Sequence, residues 1–135
     1  MSRPRPVSVS STLVLATVVS GLLLRFGPLG LPRFVVKYGG SALWALMIYW
    51  IVSTLLPWWR VAAIALLAGS VATSVELLKL HHAPWLDSFR MTGPGVLLLG
   101  RFFSVWDILA YWLAMILGAM LDACIRPKNQ LALDR

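Results

Sequence analysis

Long uncharged runs alternate with short basic or proline-bearing breaks along the whole chain. The first run, Val7 to Leu24, holds eighteen residues, about 27 Å of helix at 1.5 Å per residue and close to the thickness of bilayer hydrocarbon. Gly27, Pro28, Gly30 and Pro32 break it before Arg33 and Lys37. A second run extends from Tyr38 to Trp59, with Pro57 near its end. The third goes from Val61 to Leu80 and is uncharged as far as Glu76, and the fourth goes from Val105 to Ile125, with Asp107 and Asp122 near its ends. This pattern predicts an all-α integral membrane bundle of four transmembrane helices, approximately 7–24, 38–59, 61–80 and 105–125, in a single transmembrane domain covering residues 1–135.

Aromatic residues mark the same boundaries. Tyr38 and Trp44 lie at or near the start of the second run, Trp58 and Trp59 close it, and Trp85 and Trp106 flank the third connection, as expected of side chains that favour the membrane–water interface. Trp50 and Trp112 fall nearer mid-span, where packing is the expected role. Ala65, Gly69 and Thr73 repeat at every fourth position, as do Ala110, Ala114 and Gly118. Such stripes let helices approach closely in lipid, which predicts contact between the third and fourth spans; ordinary alanine richness is the competing explanation.

Composition strengthens the membrane reading. Apolar residues make up 59% of the 135 positions and charged residues only 13%, against about 25% charged in soluble domains; mean hydropathy is +0.81. A water-soluble chain this short could not bury so much apolar surface. The net charge of +7 is divided among short segments between apolar runs, the distribution of an interface-seeking membrane protein rather than of a nucleic-acid binder. Cys124 has no second cysteine to pair with and no metal-ligand spacing around it, so it reads as a small buried hydrophobe. The basic segment Met1 to Pro6 precedes an apolar run as in a signal peptide. That run ends in Leu22, Leu23, Leu24 and Arg25 without an Ala-x-Ala-like site, so a retained first helix is expected.

Short connections make successive spans antiparallel, which places the first and third connections on one face and the second connection and both termini on the other. Six lysines and arginines fall on each side, so the positive-inside rule gives no orientation. Cytoplasmic termini are the reading adopted, since the longer third connection then needs no cytoplasmic role.

That third connection, Leu80 to Phe103, is too apolar for an aqueous loop and too broken for a span, so an interfacial or re-entrant path is expected. Its face collects the unusual polar groups. Arg25 ends the first span, Lys37 precedes the second, Glu76 lies in the last turns of the third and Asp107 in the first turn of the fourth; His81, His82, Asp87, Arg90 and Arg101 come from the connection. Intramembrane ionisable residues are expensive and so are functional candidates. The candidate ligand-binding set is therefore Arg25, Glu76, His81, Arg90, Arg101 and Asp107, with Arg90 and Arg101 suited to clamp a phosphate or carboxylate. Each has a structural alternative: Glu76 could pair with Lys79 three positions on, Ser104 to Asp107 reads as a capping box, and the arginines could simply meet lipid headgroups. Adjacent His81 and His82 would diverge on a helix and make no metal site, and no nucleophile or phosphate-loop motif is present. No cofactor is implied.

Val75-Glu76-Leu77-Leu78-Lys79-Leu80-His81-His82-Ala83-Pro84-Trp85-Leu86-Asp87-Ser88-Phe89-Arg90, the later run Leu98 to Tyr111, and Lys37-Tyr38-Gly39-Gly40-Ser41-Ala42-Leu43-Trp44-Ala45 together look like a known pattern. They resemble the uncharacterised bacterial membrane family numbered 2809 among domains of unknown function, over about Gly21 to Leu121. The chain departs from that pattern at Ser41, where the family usually has an acid. An acid late in one helix, an arginine and an acid opening the next helix is more distantly similar to the VanZ-like membrane proteins, which are associated with glycopeptide tolerance in some bacteria. The resemblance implies a multi-pass protein of the bacterial inner membrane and no established reaction. From the residues, the expected function is binding of an anionic lipid or amphiphile at the polar mouth, with membrane lipids as partners and no nucleic acid. The alternatives are a membrane-embedded hydrolase or transferase using Glu76 or a histidine as base, and an accessory subunit, as a homo-oligomer or against a partner membrane protein.

Overall fold

The computed structural model describes residues 7–28, 30–81, 83–98 and 103–125. They form six helices: α1 (Val7–Phe26), α2 (Arg33–Leu55), α3 (Val61–Leu78), α4 (Pro84–Arg90), α5 (Gly93–Leu98) and α6 (Val105–Ile125). Four of these, α1, α2, α3 and α6, are long and apolar enough to cross a membrane, as the hydropathy pattern requires. Lipid offers the backbone no hydrogen bonds, so hydroxyls inside such spans must find partners within the protein. Thr12, Thr17, Ser20, Thr54, Ser70 and Ser74 each donate to the carbonyl four residues back at 2.7–2.8 Å.

Boundaries differ from the sequence expectation for local reasons. α2 begins at Arg33 rather than Tyr38, because Pro32, with φ −57° and ψ 150°, starts the helix immediately after itself. Arg33 and Lys37 thereby become part of the helix. At the other end Pro57 disfavours helical geometry in the residue before it; Leu56 has left the α region at φ −122°, ψ 61°, and α2 stops at Leu55. α1 continues to Phe26, which brings Arg25 into its last turn. α3 gives way at Leu78 to tighter three-residue turns, with Lys79, Leu80 and His81 donating to Glu76, Leu77 and Leu78.

The third connection folds into α4 and α5, neither long enough to span. Pro84 opens α4 at a position that has no use for an amide hydrogen. Thr92 caps α5: its Oγ1 accepts from the Gly95 N–H at 3.1 Å. Gly95 has to be glycine, since a Cβ there would stand 1.8 Å from the Phe89 carbonyl oxygen.

α2 is the hub, packing against α1, α3 and α6, while α3 also packs on α6; α1 touches α2 alone among the described helices. Two glycines on the small-residue stripes explain the tight α3–α6 and α2–α6 crossings. A Cβ at Gly69 would lie 2.5 Å from the Trp112 ring, and Trp112 donates its Nε1–H to Thr73 Oγ1 at 3.1 Å. Gly118 likewise admits Tyr49, with ring atoms 3.2 Å from its built Cβ, and the Tyr49 hydroxyl donates to Asp122 at 2.7 Å. In both cases a glycine makes room for a ring, and a polar residue four positions later, on the same helix face, receives the ring's polar tip. Ser53 adds a second bond to the fully buried Asp122. Both stripes are therefore occupied within the chain. Trp50 is buried as expected of a mid-span packing residue, and Trp58, Trp85 and Trp106 are exposed at helix ends.

Candidate functional site

α3 delivers Glu76 in its last turn and Lys79 just past its end. Glu76 is fully buried. Its Oε2 lies 2.6 Å from Lys79 Nζ and accepts from the Tyr111 hydroxyl at 2.7 Å, and its Oε1 accepts from the Ser104 N–H at 2.8 Å. A carboxylate withdrawn from water is tolerable only with such compensation: one counter-charge and further donors for its remaining lone pairs. The pairing with Lys79 is the structural alternative weighed for this residue. Because Ser104 directly precedes α6, the same carboxylate also fastens the end of α3 to the start of α6.

Asp107, buried in the first turn of α6, accepts from Ser41 Oγ of α2 at 3.0 Å. The capping-box expectation is corrected here. The Ser104 N–H that such a box would direct to Asp107 goes to Glu76, and Asp107 turns across the bundle to α2. Ser41, the position at which the chain departs from the resembling pattern, supplies the hydroxyl that Asp107 needs.

Arg90 is buried and turned towards the end of α3. Its guanidinium donates to the carbonyls of Leu78 and His81, the latter at 3.0 Å, and meets Asp87 at 3.3 Å. It thus closes the C-terminus of α3, where carbonyls lack helical partners and a cation complements the dipole. Arg90, read from sequence as a possible anion clamp, thus caps α3, and its Nε has no partner among the described residues. The His81 side chain is exposed and lies outside the cleft described below. Arg101 and His82 lie outside the described residues.

The remaining described candidate, Arg25, borders a cleft of about 800 Å³ at the same end of the bundle. It opens where α1, held only by α2, stands away from α3 and α6. Arg25 of α1, Arg33 and Lys37 of α2 and Lys79 line it, and no carboxylate does among the described residues. Tyr111 and Ser41 add hydroxyls, and Val18, Leu22, Leu43 and Met47 continue it as an apolar wall. Leu31 of the first connection and Pro94 of the third both border it, so these two links meet at one mouth. Trp44, assigned to the interface by its sequence position, instead lines the cleft and packs on Tyr111 with ring centroids 5.3 Å apart. Its Nε1 is a buried donor with no partner among the described residues. No group of three or more His, Cys, Asp or Glu able to hold a metal occurs among the described residues.

Of the sequence candidates, then, Arg25 lines the cleft, Glu76 and Asp107 stand directly behind lining residues Lys79 and Ser41, and Arg90 and His81 do not take part. Arg33, Trp44 and Tyr111 are not in the ligand-binding set read from sequence. The four-residue spacing of Arg33 and Lys37 was a usable signal once α2 is known to start at Arg33.

Residues 30–119 match the model of a family described as protein of unknown function (DUF2809). The matched segment covers α2 to α5 and most of α6 but not α1. No solved structure matches the chain.

Proposed function

The chain belongs to the DUF2809 family, whose function is unknown, and we propose that it binds an anionic amphiphile in the cleft between α1, α2 and α3, within a bacterial plasma membrane. The observation that carries this reading is the composition of the cleft: among the described residues, four cations and no acid at the mouth, passing into an apolar wall. A lipid has that same division. Lysine and arginine at a membrane surface attract anionic headgroups by about 1 kcal/mol each, and the lateral opening beside α1 gives a bilayer molecule entry without leaving lipid. Among the described residues, Arg25 is the member of the set read from sequence that lines the cleft, and Arg33, Lys37 and Lys79 line it beside Arg25.

Native mass spectrometry after detergent exchange tests the proposal. The wild-type chain is expected to retain one anionic lipid, and Arg25→Gln with Lys37→Gln to lose it. Equal retention by both proteins would contradict the proposal.

A further inference from the structure

The charges and donors of the cleft also specify a class of lipid, provided that the cleft is an amphiphile site at all. Lys79 is neutralised by Glu76 at 2.6 Å. Arg25, Arg33 and Lys37 are exposed, and none has a carboxylate within ion-pair distance among the described residues. Arg33 and Lys37 lie four residues apart on one face of the first turns of α2. That helix opens without a side-chain cap, so the positive end of its dipole adds to the same mouth. Three unneutralised cations exceed what a phosphodiester with one negative charge can match. A phosphomonoester carries about −1.5 to −2 at neutral pH and three strong acceptor oxygens.

Deeper along the cleft lies Trp44, seven residues and about 10 Å along α2 from Lys37; its indole N–H is buried at the cleft wall and has no partner among the described residues. Buried donors without acceptors are rare. The acyl ester carbonyls of a glycerolipid lie below its phosphate and would supply one. The wall formed by Val18, Leu22, Leu43 and Met47 continues the path for an acyl chain.

The geometry points to a lipid of the phosphatidic acid class: a terminal phosphomonoester held by Arg25, Arg33 and Lys37, an ester carbonyl at Trp44 and a chain along the α1–α2 wall. The test is a titration of the full chain in detergent micelles at pH 7.5, read by native mass spectrometry, with dioleoyl phosphatidic acid, phosphatidylglycerol and phosphatidylcholine, and with glycerol 3-phosphate as a tail-free competitor. Phosphatidic acid is expected to bind about tenfold more tightly than phosphatidylglycerol, since one further charge meets the cationic mouth. Arg25→Gln with Lys37→Gln removes that preference, and Trp44→Phe weakens both anionic lipids severalfold while leaving their ratio unchanged. Arg33→Gln serves the same purpose if the double variant does not fold. Equal binding of the two anionic lipids, lost together in the charge variants, would overturn the monoester assignment and leave the amphiphile reading standing. Absence of any bound lipid would remove both. Full displacement by glycerol 3-phosphate would reduce the site to one for a free anion.

Discussion

Glu76 is fully buried and held by Lys79, Tyr111 and Ser104, and this environment makes its dependence on Lys79 testable. Lys79→Met would leave the carboxylate buried with two neutral donors and no counter-charge, a loss on the order of 3–5 kcal/mol, visible as a lowered unfolding midpoint in detergent. Adding Glu76→Gln should recover most of it, because an amide can keep bonds to Tyr111 and Ser104 without a charge to compensate. Arg90 gives a contrasting case. Its contacts are with the backbone carbonyls of Leu78 and His81 and with the half-exposed Asp87 carboxylate, so Arg90→Ala should cost about 2 kcal/mol while lipid retention stays at the wild-type level. If retention fell and stability did not, Arg90 would belong to the site rather than to the α3 cap. Sequence alone raised both residues and could rank neither. Glu76 and Lys79 were visible as an i,i+3 pair, but which carbonyls Arg90 meets depends on the path from α3 into α4, which no local pattern encodes.

Helix contacts in lipid depend on shape, since apolar surface gains nothing by leaving lipid for a neighbouring helix. The Gly69–Trp112 and Gly118–Tyr49 pairs express this directly. Gly69→Ala would place a methyl group 2.5–3.0 Å from three Trp112 ring atoms, and an overpacking cost of about 1–3 kcal/mol is expected. Trp112→Phe in the same chain should restore part of that loss in a thermal unfolding series, and strictly additive effects would argue against the contact. Gly118→Ala should be milder, because the nearest atom, Leu46 Cδ1 at 2.9 Å, is a mobile side-chain end. The small-residue stripes were legible as every-fourth-position repeats, and so was contact between α3 and α6. What they accommodate was not, because a stripe on one helix does not reveal which ring crosses it from another. For α2, reading uncharged runs alone placed the start at Tyr38; Pro32 was the better marker, since cations in a first helical turn can reach the interface.

The bundle is asymmetric: α2, α3 and α6 pack on one another, and α1 leans on α2 alone. The four spans could be counted from hydropathy, but the cleft could not be foreseen, because it arises from a contact that α1 does not make. The arrangement places the first and third connections at one mouth. With Cys124→Ser as background, cysteines at Pro28 and Ser88 should react with a membrane-impermeant maleimide from the same side, and one at Trp58 from the other. The most direct check on the central claim is an experimental density map of the full chain in nanodiscs containing anionic lipid. A headgroup between Arg25, Arg33 and Lys37, with its chain descending past Trp44 towards Met47, is the expected result. A bundle in which α1 closes onto α3 and leaves no space at these residues would contradict it.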